Sequence, residues 1–283
     1  FDVLFEPVQI GPVTAPNRFY QVPHCTGIGY RRPQTLAALR GTKAEGGWGT
    51  VCTEYCSIHP SSDDDPYPSA SIWDDDDVRS LSLMVDKVHD HGALAGVELW
   101  HGGAASANHY SREAPVGPYS RPAGVWDPVQ TRAMDKNDIR EFKRWHLEAA
   151  QRAQRAGFDI VYVYACHWYL VKQFLDPSNQ RSDEYGGSLE NRVRLLRELI
   201  EETKEAIGDT CAVAVRFSAS SGGTDDSPDT AEPRATLELL ADLPDLWDIT
   251  VHDYSYEMGT SRFVQEGGLE STMKWVKQVT DKP

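Results

Sequence analysis

NDIREFKRWHLEAAQRAQRAGFDIVYVYACHW, residues 137–168, is the stretch from which the architecture follows. Most of it reads as one long helix, and FDIVYVYA at 158–165 reads as a strand. That strand is apolar along its length rather than on alternate residues, the pattern of a parallel strand covered by helices. Towards the amino end the alternation repeats. ALAGVELW (93–100) is a strand preceded by the helical VRSLSLMVDKVHDHG (78–92), and WGTVCTEY (48–55) is a strand preceded by the helical PQTLAALRGTKAEG (33–46). RFYQVPH (18–24), stopped by Pro23, opens the series. Towards the carboxyl end come the helix SLENRVRLLRELIEETKEAIG (188–208), the strand CAVAVRFSA (211–219), the helix ATLELLADL (235–243), the strand DLWDITVHD (245–253) and the helix GLESTMKWVKQVTDK (268–282).

Strand–helix units in series predict an α/β fold of the (β/α)8 TIM barrel kind, of which 1–283 carry about six units. The loops after the strands, notably 101–134, are longer and chemically richer than those after the helices, which places the active site at the carboxyl ends of the strands. A doubly wound sheet is the runner-up, weakened because no glycine fingerprint opens an early helix. Further strands are expected beyond KQVTDKP, since an open arrangement would expose apolar edges.

The formal charge of -15 argues against nucleic acid or an anionic membrane surface as partner. No apolar run is long enough to span a membrane, and FDVLFEPVQIGPV lacks the pattern of a signal peptide, so a cytoplasmic location is the expectation. Cys25, Cys52, Cys56, Cys166 and Cys211 are scattered and odd in number, which predicts thiols rather than a disulfide framework. No regular ligand spacing supports a metal site. The acidic run 74–77 precedes a helix and reads as its cap.

Several residues at strand ends invite a chemical reading. Cys25, in VPHCTG, suits a nucleophile, a flavin attachment point or buried filler. Tyr164 and His167, three apart at a strand end, form a proton-handling pair if the chain turns there, and otherwise pack structurally. Arg216 in VAVRF and Glu98 in VELWHGG are costly inside apolar strands unless a partner or cofactor receives them. Asp253 ends the sixth strand, where a carboxylate either orients an imidazole or caps a loop. Aromatics crowd the rims: Tyr55, Trp73, Trp100, Trp168, Tyr254 and Tyr256. Their ring faces suit an alkylammonium group, although packing explains any one of them.

With EPVQIGPVTAPNRF, VPHCTG, TEYCSIHPSSDD, LAGVELWHGG, RSDEYGGSLENRVR and VAVRF, the sequence resembles the Old Yellow Enzyme superfamily of FMN-dependent barrels, and within it the trimethylamine dehydrogenase branch. The resemblance implies FMN bound as a 6-S-cysteinyl adduct at Cys25, with Pro23 and His24 flanking the ring and Glu98 and Arg216 at its pyrimidine edge. It implies Tyr164 and His167 as the active-site pair, with Asp253, or else Glu257, as third member. Tyr55 matches an aromatic wall that receives the methylated amine, and a second wall would fall near Tyr256. Demethylation of trimethylamine or a related amine to formaldehyde is the implied activity, with histamine or another primary amine as an alternative. A flavin-free small-molecule-binding barrel is the alternative outside enzymes. A 4Fe–4S centre, ADP or FAD, an electron-transfer flavoprotein as acceptor and a homodimer are implied only for a longer chain.

Overall fold

In the computed structural model, residues 1–63, 69–106, 108–123, 129–220, 230–251 and 265–283 are described, with the backbone of 223–224 and 227–228. The apolar segments become parallel strands, each followed by helix: β1 (Tyr20–Gln21), α1 (Pro33–Glu45), β2 (Thr50–Ser57), α2 (Asp75–His89), β3 (Leu94–Trp100), α3 (Lys136–Ala156), β4 (Ile160–Ala165), α4 (Leu170–Leu175), α5 (Leu189–Ile207), β5 (Ala212–Ser218), α6 (Ala231–Leu240), β6 (Leu246–Thr250) and α7 (Glu270–Val279). The six strands lie side by side in chain order, and Ala70–Ser71 adds to the end of β2. This is the strand–helix order of a TIM barrel, and the sheet carries helices on one face.

Successive strand residues point to opposite faces, which sorts the core into layers. Ala95, Val97 and Leu99 of β3, Val161 and Val163 of β4, and Val213, Val215 and Phe217 of β5 pack against the helices. The other face is the barrel interior. At its amino end Cys52, Ile160, Tyr162, Ala212, Ala214 and Leu246 pack together with Ile10 and Ala15 of an antiparallel hairpin, Val8–Ile10 with Val13–Ala15. The hairpin turns on Gly11 (φ 53°), where a Cβ would lie 2.6 Å from the Asp245 carboxyl carbon, so glycine is needed for both angle and space. At the carboxyl end Tyr55, Trp100, Tyr164 and Cys166 form a separate aromatic layer.

Two differences from the sequence reading have physical causes. The first strand is two residues long rather than seven. Pro23 has no N–H to give, and the pairing resumes only at His24, whose N–H donates to the Thr53 carbonyl (3.1 Å) beside a register shift between Cys52 and Tyr55. The loop after β4 holds the short helix α4, whose Leu170 and Phe174 are fully buried. Asp74 caps α2 as expected, its carboxylate accepting from the N–H groups of Asp76 (2.9 Å) and Asp77 (3.0 Å). Among the described residues no helix is long and apolar enough to cross a membrane.

Candidate active site

Register brings the buried charges together. Tyr164 of β4 stands opposite Arg216 of β5, and Arg216 opposite Asp248 of β6, while Glu98 of β3 is opposite Tyr162. All point into the interior, where an isolated charge would cost several kcal/mol, of order 2–5. Partners of Arg216 include the Pro23 carbonyl, to which Nη1 donates (2.9 Å), Glu98 Oε1, 3.5 Å from Nη1, and Asp248 Oδ2, 3.7 Å from Nε. Burial alone lowers the guanidinium's affinity for its proton, but Asp248 and Glu98 together outweigh it and hold the group firmly cationic. Its Cζ also sits 6.0 Å from the centre of the Tyr164 ring. Asp248 is a member of this set that strand-end reasoning misses. Its signal was a carboxylate inside the apolar LWDIT, the same anomaly that marked Arg216.

The Tyr164–His167 pair forms. The chain leaves β4 through two successive left-handed residues, His167 (φ 52°) and Trp168 (φ 63°), neither of them glycine. Such angles persist only where packing enforces them. They fold the imidazole back so that Nδ1 is 2.7 Å from the Tyr164 hydroxyl, with both residues buried. Burial pushes the Tyr164 phenol well above its usual range, so it stays protonated and donates to Nδ1. In the neutral imidazole the proton is then on Nε2, which faces away from the tyrosine.

Around the pair stands an aromatic wall. Tyr55 stacks on Trp100 (centroids 4.5 Å, 27°), and Tyr169 lies edge-on to Trp100 at 5.3 Å and 5.2 Å from Tyr164. Tyr169 joins this wall only because of the turn at His167 and Trp168, which its sequence position does not announce. Trp168 instead lies under the Arg121 guanidinium at 5.1 Å. Tyr55 and Trp100 also line a cavity of about 170 Å³ with Tyr30, Trp73, Tyr110 and Asp63.

Cys25 is exposed and outside any disulfide, whereas Cys52, Cys56, Cys166 and Cys211 are buried. Burial drives the Cys52 thiol up to about 12, which removes it as a nucleophile. His24 has its imidazole lowered by partial burial and then by the cations Arg40 and Lys43. Asp253, Tyr256 and Glu257 lie outside the described residues. Among the described residues no group of three or more His, Cys, Asp or Glu is placed to hold a metal ion.

The chain is 40% identical over 294 residues to a dimethylamine dehydrogenase of Hyphomicrobium sp. (strain x), covering 100% of this chain and 40% of that protein. Its fold superposes on 6-hydroxypseudooxynicotine amine oxidase from Pseudomonas geniculata N1 (TM-score 0.94, 48% identity, 100% of this chain and 43% of that one). It superposes equally on histamine dehydrogenase from Rhizobium sp. 4-9 (TM-score 0.94, 45% identity, 100% and 42%). The chain thus spans about two fifths of the length of these relatives. Residues 3–283 match one family model throughout, and the chain belongs to the NADH:flavin oxidoreductase / NADH oxidase family.

Proposed function

We propose that this chain is the FMN-binding barrel of an amine dehydrogenase that oxidatively demethylates trimethylamine or a related N-methylated amine. The observation that carries the reading is the position of Arg216, which donates to the carbonyl of Pro23, two residues before the exposed Cys25, lies 3.5 Å from the Glu98 carboxylate and sits 6.0 Å from the centre of the Tyr164 ring. One side chain thereby joins the residues suited to a flavin with those suited to an amine. The donor set fits the flavin: a guanidinium beside a carboxylate offers donors and an acceptor to a ring edge carrying C=O and N–H groups. FMN would be held by Pro23, His24, Glu98 and Arg216 and linked through Cys25. Such a linkage would exchange the Cys25 thiol S–H and one ring C–H for a C–S bond, and would need an external two-electron oxidant such as dioxygen to take up the two electrons and two protons released.

When bound, the flavin supplies a two-electron acceptor. The rest is the protein's work. Tyr55, backed by its stack on Trp100, would offer its ring to a methylated ammonium. A protonated amine has no lone pair to assist loss of hydride from its methyl group, so its proton would pass to the Tyr164 hydroxyl oxygen as the phenol's own proton moves to His167 Nδ1. Loss of hydride leaves an iminium, and water converts it to formaldehyde and the demethylated amine with release of a proton. In this proposal Asp253 is the third member of the catalytic set and Tyr256 belongs to the wall that binds the amine. Electron export through a 4Fe–4S centre to an electron-transfer flavoprotein, an ADP or FAD site and a homodimer belong to the whole protein in this proposal. The names of the relatives refer to dimethylamine, histamine and 6-hydroxypseudooxynicotine, which keeps all of them within amines.

The test is to unfold the full-length protein in acid, remove small molecules, and record the visible spectrum and intact mass. The native protein is then assayed for formaldehyde with trimethylamine, dimethylamine and histamine. Flavin mass retained on the polypeptide and formaldehyde formed in proportion to amine are the expected results. Release of all flavin refutes the linkage, and absence of formaldehyde from every methylated amine refutes the demethylation.

A further inference from the structure

We propose that Glu54 and Arg40 are positioning residues that clamp the backbone on either side of Cys25 and so fix where its thiol is presented. The inference rests on the reading of Cys25 as the flavin-linking residue. Glu54 sits on β2 next to Tyr55 and is fully buried. Its carboxylate accepts from four successive backbone N–H groups: Thr26 (2.7 Å), Gly27 (2.6 Å), Ile28 (3.4 Å) and Gly29 (2.8 Å). The Thr26 hydroxyl adds a fifth bond at 2.9 Å. Curling four amides around one acceptor needs a left-handed residue, supplied by Gly27 (φ 69°). It also needs close approach at Gly29, where a Cβ would lie 2.8 Å from the Ser69 carbonyl oxygen and 3.0 Å from Glu54 Oε1.

Arg40 holds the other side. This α1 residue is fully buried, and its guanidinium donates to the Gln21 side-chain oxygen (3.0 Å) and to the His24 carbonyl. The His24 N–H is taken by the Thr53 carbonyl at 3.1 Å. Residue 24 is therefore fixed through both its backbone groups, and residues 26–29 are fixed through theirs. Between them Cys25 stays exposed. Two buried charges are a costly way to hold a surface turn, and a turn needing only stability would be built from neutral groups. What the charges add is stiff placement of one accessible side chain at the end of β1, on the rim shared with Tyr164 and His167. Neither residue touches the reacting atoms.

The experiment compares full-length wild-type protein with E54Q, R40K and T26V, each purified with its FMN. Total FMN per chain is measured first, then the fraction that stays on the polypeptide after acid unfolding. E54Q replaces half of an acceptor surrounded by donors with a donor, R40K keeps the charge but loses the two-pronged grip, and T26V removes one bond. A displacement on the ångström scale costs a bond-forming step about tenfold or more. The expected result is a covalent fraction reduced about tenfold in E54Q and R40K and least in T26V, at unchanged total FMN. A role limited to stability would lower total FMN and folded protein while leaving the covalent fraction of what remains intact, and that result overturns the proposal. R40K and T26V are milder changes that decide the question if E54Q does not fold. Wild-type protein that releases all its flavin overturns the linkage and the clamp with it, whereas wild-type and folded variants that retain it equally overturn the clamp alone.

Discussion

Tyr164 meets His167 only because two side-chain-bearing residues take backbone angles that normally fall to glycine. Replacing Tyr164 with Phe keeps the ring and removes the hydroxyl that lies 2.7 Å from Nδ1. We expect kcat/KM for an N-methylated amine to fall about a hundredfold, in the range of a lost proton-handling group. The pH profile should shift while flavin content stays constant, and a profile and rate unchanged from wild type would remove the pair from the mechanism. The spacing of these residues was legible in YVYACHW, because a strand end must turn. Arg216 and Glu98 were legible for a different reason, the cost of a charge in an apolar strand. Asp248 carried the same signal, but only the register with β5 shows that it faces Arg216. Arg40 gave no sign, since an arginine in a helix is ordinarily a solvated face.

Among elements, the parallel strands and their covering helices follow from apolar patterning, and the starts of α2 and α3 follow from acidic caps. Asp74 and Asp77 form a reciprocal box at α2, as Asp135 and Asp138 do at α3. Asp77 is the less dispensable of the first pair. It accepts from the Ser71 hydroxyl (2.7 Å) and the Trp73 N–H (3.0 Å), tying the helix start to the strand segment beside β2, and burial raises its carboxyl above the usual range. Asp74 is exposed, so Asp74→Ala should cost about 1 kcal/mol, read as a lower urea midpoint with an unchanged slope. A loss near zero would mean that Asp77 alone starts the helix. What patterning does not show is α4, too short for a periodic signal and held by burial of Leu170 and Phe174 rather than by its own propensity.

Across the whole molecule, acid sensitivity follows from histidines sealed in the helix and loop packing. Burial lowers His101 to about 3 and His146 to about 4, so both are neutral in the folded protein. The unfolded chain takes up those protons below about pH 6.5 and the folded chain does not, so stability present above that pH is lost as pH falls towards the folded values. His89 acts in the opposite sense. Its bond to Asp159 (2.7 Å) raises it, so its contribution is present below its unfolded value and lost as pH rises. With its side chain 40% exposed, that term is screened, and the sealed histidines should dominate. Thermal unfolding of His146→Leu should show a shallower acid slope, by up to about 1.4 kcal/mol per pH unit, and a slope equal to wild type would place the acid sensitivity elsewhere.

The strand order has a bearing on synthesis as well. From β2 to β6 every strand pairs with the barrel strand that precedes it in the chain. On the ribosome, each newly emerged strand and its helix find their partner surface already outside the exit tunnel. Among the described strands β2 to β6 none waits for a distant partner, whereas the outer edge of β1 meets no earlier strand, so the exposure of apolar edges of the nascent chain to aggregation or to chaperones is concentrated there.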